Sequence, residues 1–319
     1  MKSLAGSTIR DIVQENITAL LGALIIALFV IGETVSHGFL SFGHIGAVLR
    51  TASFLGIVSI GQTLTILTAG IDLSVGPLIT MGNVFGCMLI NGLDSNLLWA
   101  MGTVIVLGAL FGACNGLGVA YLKISPLVMT LAIGSLVTGI TLIVSQGAPK
   151  GLASPILRFI GVGSILSGIP VIVLVWALLS VLFILLLHAT VFGRKIYYVG
   201  ANAGAAYLSG VKNNAVLTMV YAISGGCAAL TGTLMAGYTD TAFLGIGNEY
   251  ILWSITAVVI GGTSLTGGRG NYGGTIAGAI LLVLIESLLT VVNMPEAGRR
   301  IATGLLILLM ISIYFRQKH

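Results

Sequence analysis

The chain of 319 residues is 57% hydrophobic and 7% charged, with a formal charge of +5, a balance that excludes a soluble globule. A mean hydropathy of +1.11 and 45 glycines are those of a bundle of closely packed transmembrane helices. The basic residues stand singly between apolar runs, with no aromatic-interleaved cluster, so the positive charge reads as membrane topology and not as a nucleic-acid surface.

Lys2, Arg10, Asp11 and Glu15 precede the first apolar run, 17–35. That run is longer than a signal-peptide core and lacks a small-x-small cleavage site, so it reads as a retained span. Residues 37–50 are too few and too mixed to cross, and are predicted to lie at the interface. A bilayer core takes about 20 apolar residues per helix. On that measure, spans are predicted near 17–35, 51–69, 78–93, 97–120, 127–145, 170–188, 215–238, 250–264, 274–292 and 300–315. The expectation is an all-α polytopic membrane protein of about ten helices, in one transmembrane domain over 1–319.

Between the second and third spans lies Gly70-Ile71-Asp72-Leu73-Ser74-Val75-Gly76. Non-helical backbone survives at a membrane only where protein buries it or water lines it. An aspartate in such a break is a pathway residue by default, and its carboxylate can also accept the N–H groups of a turn that has no other partner.

Placement of Lys and Arg sets orientation. With the N-terminus inside, nine basic residues (Lys2, Arg10, Lys123, Arg194, Lys195, Lys212, Arg269, Arg316, Lys318) fall in cytoplasmic segments and five (Arg50, Lys150, Arg158, Arg299, Arg300) in outer ones. Both termini are therefore predicted to be cytoplasmic. The longest inner connection, 189–214, contains Asn202-Ala203-Gly204-Ala205-Ala206-Tyr207-Leu208, a short small-residue helix that Asn202 can cap and Gly210 can end. Two glycine series at four-residue spacing, Gly108/Gly112/Gly116 and Gly270/Gly274/Gly278, are predicted to be helix faces packed backbone to backbone.

Catalytic signatures are missing. There is no Gly-x4-Gly-Lys-[Ser/Thr], and the glycine-rich 261–270 lacks the lysine and strand of a phosphate cradle. No His-Glu-x-x-His or Gly-x-Ser-x-Gly occurs. Cys87, Cys114 and Cys227 lie singly in apolar runs and read as buried free thiols. No catalytic residue, metal or cofactor is expected. Gln62, Thr65, Asn83, Asn115 and Thr130 are membrane-embedded and neutral, which suits the path of a sugar, with Glu286 as a further candidate. The competing class, an ion-coupled secondary carrier, calls for several mid-membrane ionisable groups, and only Asp72 and Glu286 qualify.

Three separated stretches resemble the permeases of ribose-type ABC sugar importers: Thr68 to Gly76, Phe192 to Gly210, and Ala257 to Gly270. Asn115-Gly116 and Pro126 with Thr130-Leu131 also fall where that family has them. Pro77 and the stretch Glu249-Tyr250-Ile251-Leu252-Trp253 depart from its usual pattern. The resemblance implies a vitamin-B12-importer-like fold in a bacterial inner membrane. It implies two permeases (identical or paired) surrounded by lipid, two ATP-binding-cassette subunits inside and a substrate-binding protein outside, with ATP hydrolysed by the partner. On this resemblance Ile71, Asp72, Leu73, Ser74, Ser125 and Pro126 narrow the cytoplasmic end of the path, and 202–208 is the coupling helix.

Overall fold

The computed structural model describes residues 17–165 and 168–305, and the chain is helical almost throughout. In chain order the helices are α1 (Ile17–Val35), α2 (Phe42–Leu67), α3 (Val75–Ile90), α4 (Asp94–Ala120), α5 (Pro126–Ser145), α6 (Pro155–Val162), α7 (Val171–Ala189), α8 (Val191–Ala201), α9 (Ala203–Leu208), α10 (Asn213–Thr239), α11 (Tyr250–Ile260) and α12 (Tyr272–Val291). A two-residue hairpin, β1 (Ser164–Ile165) with β2 (Ile169–Pro170), leads into α7. Residues 296–305 are helical again. Most of the predicted run 300–315, and the charges Lys2, Arg10, Arg316 and Lys318, lie outside the described residues.

Seven of the described helices are long and apolar enough to cross a membrane. α3 and α11 are apolar but have 16 and 11 residues. At 1.5 Å per residue α11 extends roughly 16 Å, about half a bilayer core. The predicted span 250–264 is therefore corrected: Gly261 and Gly262 turn the chain after Ile260, with Gly262 at φ +85°. The predicted interfacial stretch 37–50 is also corrected: Ser41 caps α2 by accepting from the His44 amide, so 42–50 are the first turns of one 26-residue helix. Polar caps recur. Ser154, Thr190, Asn202 and Asn271 each accept an amide from the first turn of α6, α8, α9 and α12, satisfying donors that a helix start leaves bare.

α10 is the hub, packed on α4, α3, α2 and α6. Its contact with α4 is made by the first glycine series: a Cβ at Gly108 would strike Gly225, at Gly112 the Tyr221 carbonyl, and at Gly116 the Thr218 backbone. The second series is only partly a helix face. Gly274 presses against Gly261, just past the end of α11, and Gly278 against Ala257 within it, whereas Gly270 precedes α12 in a loop at φ +137°. Cys87 and Cys227 are buried as expected, but Cys114 is exposed on the outer surface of the bundle.

The connections gather at two opposite ends. At one, Gly92 N–H donates to Leu152 (2.9 Å), Ala153 N–H to Asp240 (3.1 Å), and Arg158 Nε to the Asp240 carboxylate (2.8 Å). At the other meet the α2–α3 turn, the start of α5, α8 and the 261–270 loop.

Candidate functional site

The α2–α3 turn is built from its own backbone first. α2 ends in a Schellman arrangement, with Ala69 N–H donating to Ile66 and Gly70 N–H to Thr65, both at 2.9 Å. Ala69 occupies the left-handed position (φ +60°) usually given to glycine. Asp72 follows, fully buried. Its Oδ1 accepts from the Ser74 amide (2.9 Å) and the Ser74 hydroxyl (2.6 Å), and its Oδ2 from the Ser224 hydroxyl on α10 (2.8 Å). Asn115 Nδ2 on α4 donates to Ser74 Oγ (2.8 Å), and Leu73 N–H donates to Thr130 Oγ1 on α5 (3.1 Å). One turn is therefore tied to three helices by a connected polar network. Of the network's side-chain polar atoms all but Asn115 Oδ1 are paired, and a buried network paired this fully favours one arrangement.

Of the residues predicted at this gate, Asp72 and Ser74 are buried, Ile71, Leu73 and Pro126 are half-buried, and Ser125 is exposed. Thr130 and Asn115, predicted as path residues, are members of the turn's network. Asn83 donates to the Gly232 carbonyl (3.4 Å) and accepts from the Phe243 amide (2.8 Å), joining α3 to α10 and the chain beyond it. Thr65 bonds within α2. Gln62 is fully buried with neither amide atom hydrogen-bonded. Glu286 is half-buried at the opposite end of the molecule and joins none of these.

Two further residues at this turn carry no signal of their own in the sequence. Ser224 is the far partner of Asp72, 152 residues away. Tyr221, one turn earlier on α10, is buried with its hydroxyl unpaired, directly where a Cβ on Gly70 would sit. The only local signal was a run of small residues, Ser224-Gly225-Gly226, which reads as packing.

A second junction joins this turn to α8 and α9. Gly268 N–H donates to the Leu67 carbonyl (2.9 Å), and Tyr197 Oη on α8 donates to the Gly270 carbonyl (2.9 Å). Gly200 sits between the same Leu67 carbonyl and Gly268 amide. The glycine-rich 261–270 thus wraps the end of α2 and the end of α8, and all three sequence stretches that carried the resemblance touch here.

α9 follows directly. Asn202 Oδ1 accepts from Ala205 N–H (3.0 Å), and Asn213 Nδ2 holds the Ala203 carbonyl (2.6 Å). Gly210, at φ +81°, releases the chain after it. Only Ala206 is buried; Ala203, Gly204 and Ala205 are exposed, and Tyr207 and Leu208 are 72% and 87% exposed.

Long apolar helices around a buried polar turn define a multi-pass α-helical membrane protein. Comparison with known proteins makes the class specific: the chain belongs to the family described as branched-chain amino acid transport system / permease component, whose model matches residues 44–311. It is similar to the ribose import permease protein of Escherichia coli strain K12, 32% identical over 303 residues, covering 94% of this chain and 92% of the relative. The ribose import permease protein of Bacillus subtilis strain 168 is 34% identical over 307 residues, with 94% and 93% covered. The autoinducer 2 import system permease protein of Salmonella paratyphi B is 34% identical over 301 residues, with 93% and 85% covered. The resemblance carried by the three motifs is borne out. No solved structure gives a significant match.

Proposed function

We propose that this chain is the transmembrane permease subunit of an ABC importer, carrying a monosaccharide or similar small polar solute handed over by a binding protein. The observation that carries the reading is the junction at Gly200, Gly268 and Leu67. It joins an exposed helix, α9, to the buried Asp72 turn through backbone contacts that leave no slack. In this reading an ATP-binding-cassette subunit grips α9, and its closure reaches the turn and the start of α5 through α8. The solute named for the ribose relatives supports the sugar class. The membrane is the bacterial inner membrane, both termini are cytoplasmic, and ten crossings are made by the seven long helices, α3, α11 and the last apolar run, in a fold like that of vitamin-B12 importers. A second permease, identical or related, completes the path.

The direct test is uptake into vesicles. Labelled sugar should accumulate only with ATP, the ATPase subunit and the binding protein present, and the purified permease alone should hydrolyse no ATP. Uptake driven by an ion gradient without the ATPase would establish a secondary carrier instead.

α9 supplies a second expected result. Burying a side chain the size of Leu208 contributes roughly 1.5–3 kcal/mol, so Tyr207 and Leu208 offer an ATPase cleft real apolar area. Ala205→Arg preserves helix propensity but puts a bulky charge in the contact. It should weaken co-purification of the ATPase by about tenfold, an effect of roughly 1.4 kcal/mol, while membrane insertion stays normal. Unchanged co-purification would move the contact elsewhere.

A further inference from the structure

The end of the protein opposite the Asp72 turn carries a cleft of about 440 Å³ between the start of α11, the outer part of α12 and residues 296–304. That volume lies within the range of small-molecule sites. Asn248, Trp253, Glu286, Arg299 and Arg300 line it, together with Glu249 and Glu296. Arg300 is already committed: its Nη2 lies 2.8 Å from the carboxylates of both Glu249 and Glu296. Glu286 is not. Its carboxylate makes no hydrogen bond among the described residues, although the side chain is half-buried. The same residue also lines a smaller hollow of about 190 Å³, where Thr51, Ser287 and Thr290 place hydroxyls between α2 and α12. There Ser287 Oγ lies 3.1 Å from His44 Nε2.

The chemistry of this lining selects a ligand class. The Glu286 carboxylate, near both guanidiniums but hydrogen-bonded to neither, offers two oxygens that can accept from two adjacent hydroxyls, and the Asn248 amide can both donate and accept. The Trp253 ring gives an apolar face with a fixed orientation, suited to the C–H side of a sugar ring. An apolar solute would strip water from charged groups without replacing its hydrogen bonds. Arg300 is held by two carboxylates and Arg299 donates to the Met294 carbonyl (3.5 Å), so an anion would meet three carboxylates against two guanidiniums and gain no net attraction. We propose that this cleft is the outer subsite where the permease receives a neutral polyhydroxylated solute, with Trp253 against its carbon face and Glu286 accepting from adjacent hydroxyls. The hydroxyl-lined hollow beyond Glu286 is its way inward. This rests on the importer reading and on the orientation given above.

The test uses the complete importer in cells, with labelled D-ribose, D-xylose, D-galactose and L-leucine, comparing wild type with Trp253→Leu, Trp253→Phe, Glu286→Gln and Asn248→Ala. A delivery protein captures the solute first, so the half-saturating concentration reports on that protein and the subsite shows in Vmax. Per molecule of permease in the membrane, Trp253→Leu and Glu286→Gln should lower Vmax by about fivefold or more. Asn248 is exposed, so its loss cannot disturb the core, and Asn248→Ala should lower Vmax by about twofold. Trp253→Phe should keep at least about half, because the aromatic face remains. Binding-protein association with the complex is measured in parallel. If uptake and association fall together, the cleft is a docking surface and the proposal is overturned, as it is if every variant transports like wild type. If wild type carries leucine and none of the sugars, the sugar reading of the importer fails; if wild type carries a sugar and the variants keep pace, only the subsite fails.

Discussion

Gly200→Val is expected to abolish uptake while the protein still inserts in the membrane. A Cβ at Gly200 meets two backbone atoms at once, the carbonyl of Leu67 and the amide of Gly268, and these two are hydrogen-bonded to each other at 2.9 Å. A flexible side chain can rotate out of the way of an added methyl group; two main-chain segments cannot. Over-packing that neighbours can partly absorb already costs about 1–3 kcal/mol. Here the cost should reach the top of that range, because relief requires opening the Gly268–Leu67 bond. The junction would then give between α8 and the Asp72 turn, so ATP hydrolysis in the assembled complex should continue while solute uptake falls to background. Gly22→Ala, at a position with open space around it, is the control and should behave as wild type. If Gly200→Val transports normally, α8 does not transmit motion to the turn through this contact.

Much of the architecture was legible because hydrocarbon imposes a simple rule on sequence. Runs of about 20 apolar residues must be helices that satisfy their own backbones, and eight of the ten predicted runs correspond to helices that end within a few residues of where the apolar pattern stops. The errors have local causes. α2 begins at Phe42, ahead of its apolar run, because Ser41 caps it and tertiary packing accepts the polar turns that include His44 and Arg50. α11 stops at Ile260 because a glycine pair turns the chain, although the hydrophobic composition runs on.

The site was legible in part. Asp72 stood out because an acid between glycines in an apolar chain has few bland explanations. Asn202 stood out because a cap residue before a small-residue run is a positional signal. Ser224 and Tyr221 did not, since a serine in a small-residue stretch and a tyrosine in an apolar helix carry no pattern of their own. Only the fold brings α10 against the turn. The glycine-rich loop was visible as composition, but its partners, Leu67 and Gly200, are set by tertiary packing that spacing along the chain does not encode.

Asp72 gives the sharper of the two tests because its substitutions can be graded. Asp72→Ala leaves three donors without an acceptor: the Ser74 amide, the Ser74 hydroxyl and the Ser224 hydroxyl. A buried donor left unpaired costs about 1–3 kcal/mol. The Ser224 hydroxyl, inside α10, recovers some of this by turning to a carbonyl one helical turn back. The Ser74 amide has no such recourse, and Asn115 loses the orientation of the hydroxyl it bonds. The damage therefore falls on the turn and its ties to α4 and α10, while the long apolar helices still insert. Uptake should fall by about tenfold or more, the rate equivalent of at least 1.4 kcal/mol, with at least half the normal amount of protein in the membrane. Asp72→Asn separates geometry from charge: its Oδ1 can accept from both Ser74 donors, and its amide can donate to Ser224 Oγ. If the turn is held by hydrogen bonds, the asparagine variant should keep at least about a third of wild-type uptake, a loss of under 1 kcal/mol. Loss as deep as that of alanine would show that the negative charge itself is needed in the cycle. Wild-type uptake by Asp72→Ala would reduce the network to a dispensable feature of the fold.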